Sequence, residues 1–471
     1  MAKKYHIAAK AAPPRFTIIG RHGIADFNED CAGACHHCVK KECIYDIYKK
    51  EGIFTREMQG DLHYLYNCMN CLRCVQNCTR GVVTRIINPE FRWLGDSYWK
   101  PDILLSLWYQ SETGKIPVSG AGYRGPFSGP GFDAMWTDMS EIVRPTRDGI
   151  HGREYISTSV DLGAKLRDLA FDEQGQICVE APVVHELPVP FVLANPHFGD
   201  YSPQVYEAAA RAAHEMGTLY VIDPALVTAN LKPYQAALAP AVTGATIGVN
   251  AELIRGSKMV QLDYDDQVIA NIAAIKKLSP ETIVSVKVAL APDAPRTAEK
   301  LILDGVESIF FHADFHGQSA TSGGGTEFLK ESFRRIHTHL VERGLRDLVT
   351  LIAGGGIAQA EHMAKIIICG ADLVVLDIPF LIALECRMCM NCTMGRPCPV
   401  DIAHVPAEFG ARRMTNLGAS WHSQLLEVLG AMGIREVRRL RGEYGRAMFY
   451  EDLERETFQA LFAGPAKAGK S

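Results

Sequence analysis

The cysteines constrain this chain more than any other feature. Twelve of the fourteen fall into three tight runs. The second run is the most regular, Cys68-x2-Cys71-x2-Cys74-x3-Cys78, and the first follows the same plan with wider gaps, Cys31-x3-Cys35-x2-Cys38-x4-Cys43. The third is Cys386-x2-Cys389-x2-Cys392-x5-Cys398, followed at once by Pro399. Three thiolates at such spacing wrap one corner of a cubane iron–sulfur cluster, and in paired runs the fourth reaches a neighbouring cluster. The alternative is structural zinc, which asks for two separated C-x2-C pairs; these runs offer three or four thiols in series. In the third run all four ligands are local and suit one [4Fe–4S] cluster, with a three-thiolate [3Fe–4S] cluster as runner-up. Cys178 and Cys369 stand alone in apolar surroundings and read as buried packing residues.

Clustered cysteines of this kind belong to a reducing compartment, where thiols serve metals and not disulfides. The N-terminal Met1-Ala2-Lys3-Lys4-Tyr5-His6 has no apolar signal-peptide core, so a cytoplasmic location is expected. The most apolar stretch, Ile366 to Met390, carries Asp372, Asp377, Glu385 and Arg387 and is broken by Gly370. It reads as a buried strand and helix, because a membrane span needs about 20 residues nearly free of charge. A net charge of −5 gives no footprint for nucleic acid.

From about residue 186 short β-rich runs alternate with helical segments. Strands are expected at Phe191–Ala194, Leu219–Ile222 and near Ala241–Thr243, Met259–Leu262, Ile283–Val288, Ser308–Phe311, Val349–Ile352 and Leu373–Leu376. Eight βα units predict an α/β fold, a (β/α)8 barrel, with a doubly wound open sheet as the alternative. In such a barrel function sits after the strand C-termini, and phosphate is often bound after the seventh and eighth strands. Gly354-Gly355-Gly356 follows the seventh strand and would let backbone N–H groups approach the phosphate of FMN; a glycine turn without a ligand is the plainer reading. By contrast, Gly120-Ala121-Gly122-Tyr123-Arg124-Gly125 is followed by Pro126, Gly129 and Pro130, so no helix begins there to receive a pyrophosphate.

The first two cysteine runs together resemble a bacterial two-cluster ferredoxin. That resemblance assigns Cys31, Cys35, Cys38 and Cys78 to one cluster, and Cys68, Cys71, Cys74 and Cys43 to the other. A second resemblance covers most of the chain. It rests on Leu345–Gly356, Gly370-Ala371-Asp372, Leu381–Cys386 and Cys398–Ala403, together with Glu112–Lys115, Phe198–Pro203, Ile247-Gly248-Val249 and Ser285–Val288. These segments are similar to the FMN-binding synthase domain of glutamate synthase, whose archaeal-type large subunit also carries an N-terminal two-cluster ferredoxin domain.

The resemblance implies four regions: a ferredoxin-like domain over 1–105, a linker segment leading into the barrel over 106–185, the FMN-type barrel over 186–385, and over 386–471 a third cluster with C-terminal helices. It also implies FMN across the barrel mouth, its phosphate near Gly355 and Gly356 and its ring near Ala194 and Asn195. Lys287, at a strand end, would stabilise reduced flavin or a substrate carboxylate; an interior salt bridge is the bland alternative. Implied partners are a flavoprotein or other redox subunit of a larger complex, and ferredoxin.

The sequence departs from the family at the loops that should bind substrate. The run after the second strand is Tyr220-Val221-Ile222-Asp223-Pro224, and the long loop after the fourth is shortened to Asp263-Tyr264-Asp265-Asp266-Gln267. Ala353 replaces an aspartate, and Asp377-Ile378-Pro379 replaces glycine-threonine after the eighth strand. The sixth loop, His312-Ala313-Asp314-Phe315-His316-Gly317, is chemically rich. If its backbone is extended, His312 and His316 share a side and, with Asp314, could serve as acid, base or metal ligands; surface histidines without a role are the plainer reading. Two functions follow: a flavin–iron–sulfur oxidoreductase reacting a small substrate at the barrel, or an electron-transfer subunit whose barrel is a degenerate scaffold.

Overall fold

The computed structural model describes residues 5–16, 19–26, 43–45, 68–116, 131–137, 156–166, 168–320 and 326–458. The chain divides into two compact units. The larger comprises Met1–Ala12, Ser106–Cys386 and Met390–Ser471, and the smaller comprises Pro13–Leu105 with Arg387–Cys389.

The larger unit is built on a closed barrel of eight parallel strands. In chain order they are Phe191–Leu193, Tyr220–Ile222, Leu238–Val242, Met259–Asp263, Ile283–Ala289, Ser308–His312, Thr350–Gly354 and Leu373–Leu376. Closure comes where the eighth meets the first, with Val374 opposite Phe191 and Leu376 opposite Leu193. The strands are near-continuous apolar runs because both faces are covered, by helices outside and packed side chains inside. The third strand starts earlier than its sequence suggests, because Pro240 reads as a breaker yet sits opposite Ile222 within the sheet. Between the second and third strands the chain makes 3-10 turns, Pro224–Leu226 and Ala229–Ala237, in place of an α-helix. Pro233 inside the second of these has no N–H to give an α-helical ladder.

The floor of the barrel is plugged by an antiparallel pair, Val160–Leu162 with His185–Leu187. Thr350, the first residue of the seventh strand, donates from Oγ1 to the Gly163 carbonyl at 2.8 Å and accepts the Gly163 N–H at 3.0 Å. Gly163 has φ +126, and a Cβ there would lie 2.5 Å from the Val183 carbonyl oxygen, so this approach needs glycine.

A long helix, Ala407–Ala431, lies against the Pro203–Glu215 helix. Gly410 and Gly418 let them approach; a Cβ on Gly410 would stand 2.9 Å from that of Ala208. Arg413 on the long helix is fully buried and donates to the carbonyls of Ala383 at 2.6 Å and Ala12 at 2.9 Å. No helix among the described residues is long and apolar enough to cross a membrane.

In the smaller unit, His22–Asp26 pairs antiparallel with Val83–Ile87. The second cysteine run leads into the second of these strands through a short helix, Arg73–Asn77.

Candidate functional site

The second cysteine run folds as a tight wrap. Asn70 and Leu72 both have φ +60, so the chain reverses hand between successive thiols. The Asn70 N–H points to Cys68 Sγ at 3.4 Å. Cys74 is buried, Cys68 and Cys78 are half-buried, and Cys71 is exposed. Burial, then the neighbouring Cys68, push the Cys74 thiol up to about 11, with Cys71 adding to the effect. Cys78 goes the other way. Burial raises its thiol, but the backbone N–H groups of Val83, Arg80, Val82 and Gly81 face the sulfur and bring it below its ordinary value.

Among the described residues no three His, Cys, Asp or Glu side chains converge as a single ion would require. A cubane asks for less convergence, since each cysteine ligates its own iron, and amides directed at sulfur are what tune such a cluster. Backbone amides lower the Cys78 pKa, in keeping with that role. Cys43 is buried, while Cys31, Cys35 and Cys38 lie outside the described residues.

The third run begins where the helix Ile378–Ala383 ends. Glu385, Met388 and Met390 all have positive φ, and the turn Cys392–Met394 closes on Gly395 in the left-handed region. Cys386, Cys389, Cys392 and Cys398 are each half-buried. Of the two stray cysteines, Cys369 is buried as expected but Cys178 is exposed. Cys178 sits on a small surface hairpin in which its N–H bonds to the Ala170 carbonyl at 2.9 Å, and Phe171 and Ile177 beside it are 58% and 59% exposed. Apolar neighbours in sequence gave the wrong expectation because Phe171 and Ile177 are themselves exposed on that hairpin.

At the barrel mouth, Lys287 is half-buried on the fifth strand and lies opposite Asp263 on the fourth. His312 ends the sixth strand, opposite Ala289 and Gly354. These three side chains feel one another. Burial lowers the His312 pKa most, the Lys287 ammonium lowers it further, and Asp263 opposes both. His312 is thus a neutral imidazole at pH 7, able to accept a proton beside an ammonium. Asp263 was missed as a site residue, although its place at a strand C-terminus was a sufficient signal.

The remaining expected residues are placed differently. Asn195 donates from Nδ2 to Tyr220 Oη at 2.6 Å, which ties the first strand's loop to the second strand. Ala194 N–H bonds to the Leu376 carbonyl at 3.0 Å. The sixth loop is not extended. Asp314 Oδ1 accepts the N–H groups of His316 at 2.9 Å and Gln318 at 2.8 Å, so this carboxylate holds its own turn. That turn replaces the backbone needed to set His312 and His316 on one side. Phe315, unflagged by the sequence, reaches the first strand's loop, its ring 6.0 Å from Phe198 and 6.4 Å from His197. Gly354, Gly355 and Gly356 do sit at the mouth, but the backbone of Ala313–Gly317 lies directly on the last two.

Residues 265–435 match the family model described as the conserved region in glutamate synthase. Similarity extends well beyond that region. An archaeal-type glutamate synthase [NADPH] of Dehalococcoides mccartyi is 22% identical, over 90% of this chain and 95% of that protein. The archaeal glutamate synthase [NADPH] of Methanocaldococcus jannaschii is 23% identical over 88% of this chain and 92% of its own length. That of Thermotoga maritima is 24% identical over 80% and 85%.

Proposed function

We propose that this chain, a glutamate synthase-like oxidoreductase, passes electrons through three [4Fe–4S] clusters as the electron-transfer component of a larger redox complex. Cys31, Cys35, Cys38 and Cys78 would hold one cluster, Cys68, Cys71, Cys74 and Cys43 the second, and Cys386, Cys389, Cys392 and Cys398 the third. What supports this reading is the spacing of the cysteine runs, with positive φ at Asn70 and Leu72 turning the chain between successive thiols of the second and backbone hydrogen bonds lowering the Cys78 pKa. Such clusters supply one-electron transfer. NADPH, the reductant for which the relatives are named, gives up two electrons as hydride. A flavoprotein subunit that accepts the hydride and releases single electrons is the partner this chemistry calls for.

The test is iron and acid-labile sulfide in anaerobically purified chain, with the spectrum recorded on reduction. About twelve iron and twelve sulfide per chain are expected for three cubanes. Stoichiometric zinc with little sulfide overturns the reading.

A second reading keeps substrate chemistry at the mouth, and the facing Asp263, Lys287 and His312 favour it. Lys287 would hold a carboxylate and His312 would move a proton. It is tested by ammonia-dependent conversion of 2-oxoglutarate to glutamate with chemically reduced ferredoxin; no glutamate above a Lys287→Met control removes it.

A further inference from the structure

A (β/α)8 barrel offers phosphate two sets of N–H groups, one in the glycine turn after its seventh strand and one at the helix that follows its eighth. In this chain backbone packs against the first and a carboxyl group caps the second.

The glycine turn is covered by backbone. Gly355 and Gly356 have φ +97 and +67. A Cβ on Gly355 would stand 2.4 Å from the Asp314 carbonyl oxygen and 2.7 Å from that of Ala313. On Gly356 it would stand 2.6 Å from both Cα and N of Gly317. These neighbours are main-chain atoms and cannot swing aside as a side chain would. The covering loop is also fastened. Ala313 N–H donates to the Gly354 carbonyl at 2.9 Å, and Leu329 N–H donates to that of Gly317 at 2.8 Å. Beyond the turn, the Ala358 N–H is already given to His362 Nδ1 at 3.2 Å.

The eighth-strand helix is closed by chemistry and not by bulk. Asp377 is its N-cap, and its Oδ1 accepts the Ile378 N–H at 2.6 Å. A phosphate arriving there would find a carboxyl group in its place. Finally, Phe315 extends the covering loop across to Phe198 and His197 on the first strand's loop, the rim where an isoalloxazine ring was expected.

We infer that the barrel of this chain binds no FMN at the mouth: the loop His312–Gln318 and the carboxyl group of Asp377 are a built-in plug that fills the phosphate seat. The inference stands apart from the electron-relay reading, and its test separates them.

Full-length protein is reconstituted with iron and sulfide, incubated with excess FMN, passed through gel filtration and precipitated with acid. Flavin fluorescence and iron are then read on the same sample. Traces of FMN beside full iron are expected; one FMN per chain overturns the plug whatever the iron shows. A second measurement needs no flavin. Gly356→Ala is compared with Gly175→Ala, a glycine with φ +75 and nothing within 4 Å of its Cβ position. Both substitutions strain the backbone alike, but only the first collides with the covering loop. A thermal midpoint lowered by several degrees more in Gly356→Ala, or its failure to fold while Gly175→Ala folds, supports the plug. Equal midpoints overturn it.

Discussion

Arg346 and Asp372 form a buried ion pair, Nη2 to Oδ2 at 2.6 Å, which joins the segments entering the seventh and eighth barrel strands. Asp372 also accepts the Leu351 N–H at 2.8 Å and Arg441 Nη1 at 2.9 Å. Arg346 gives its other donors to the carbonyls of Gly370 and Val349 and to His337 Nδ1. Every member is satisfied, so removing one strands the rest. Asp372→Ala is expected to cost about 3–5 kcal/mol, as for other buried pairs that lose a partner, measured as a shift in chemical denaturation.

The same pair predicts an acid response. Burial raises the Asp372 pKa, but Arg346 and Arg441 outweigh it and hold the carboxyl below its ordinary 3.8. A carboxylate depressed in the folded state contributes its stability in full above the unfolded value and loses it as pH falls through the folded one. The stability gap between wild type and Asp372→Asn should therefore be constant near neutrality and shrink below pH 3.8. A gap unchanged down to unfolding would mean the pair is not ionised.

At the mouth, Lys287→Met should raise the His312 pKa, since the ammonium is a named cause of its depression. Asp263→Asn should lower it further, by removing the one charge that opposes. Imidazole titration by NMR reads both; movement of neither would separate the three side chains.

For the clusters, Cys78→Ser should remove about four of the twelve irons and weaken the visible charge-transfer band in proportion. Cys178→Ser should leave both unchanged, because that thiol is exposed on a surface hairpin.

Thiol labelling offers an independent check. Cys369 is buried and its thiol is pushed up by desolvation, so it should resist alkylation until the chain unfolds. In native, cluster-loaded protein Cys178 should be the fast-reacting thiol, and Cys178→Ser should abolish that phase.

The barrel was legible because its strands are short apolar runs at regular spacing, such as Phe191-Val192-Leu193 and Leu373-Val374-Val375-Leu376. Periodicity of that kind survives in one dimension. What the sequence could not convey is which atoms come to lie against a residue from elsewhere. Gly355 and Gly356 read as a phosphate cradle, and nothing in one dimension shows that the backbone of Asp314 and Gly317, some forty residues earlier, packs against them. Asp314 read as a catalytic carboxylate, yet its oxygen serves two amides of its own turn. Asp377 was visible as a departure from the family, but its role depends on the helix it caps.

The buried Arg413 has a bearing on how the chain is made. It bonds to Ala12, and Asn416 one turn later exchanges hydrogen bonds with Lys10, accepting from its N–H at 3.0 Å and donating to its carbonyl at 2.7 Å. The segment around Lys10 is synthesised some four hundred residues ahead of these partners and must wait for them. Contacts so distant in sequence are slow to form, and the incomplete barrel is exposed to mispairing in the interval. Cotranslational protection should therefore matter more to this protein's yield than its finished stability suggests.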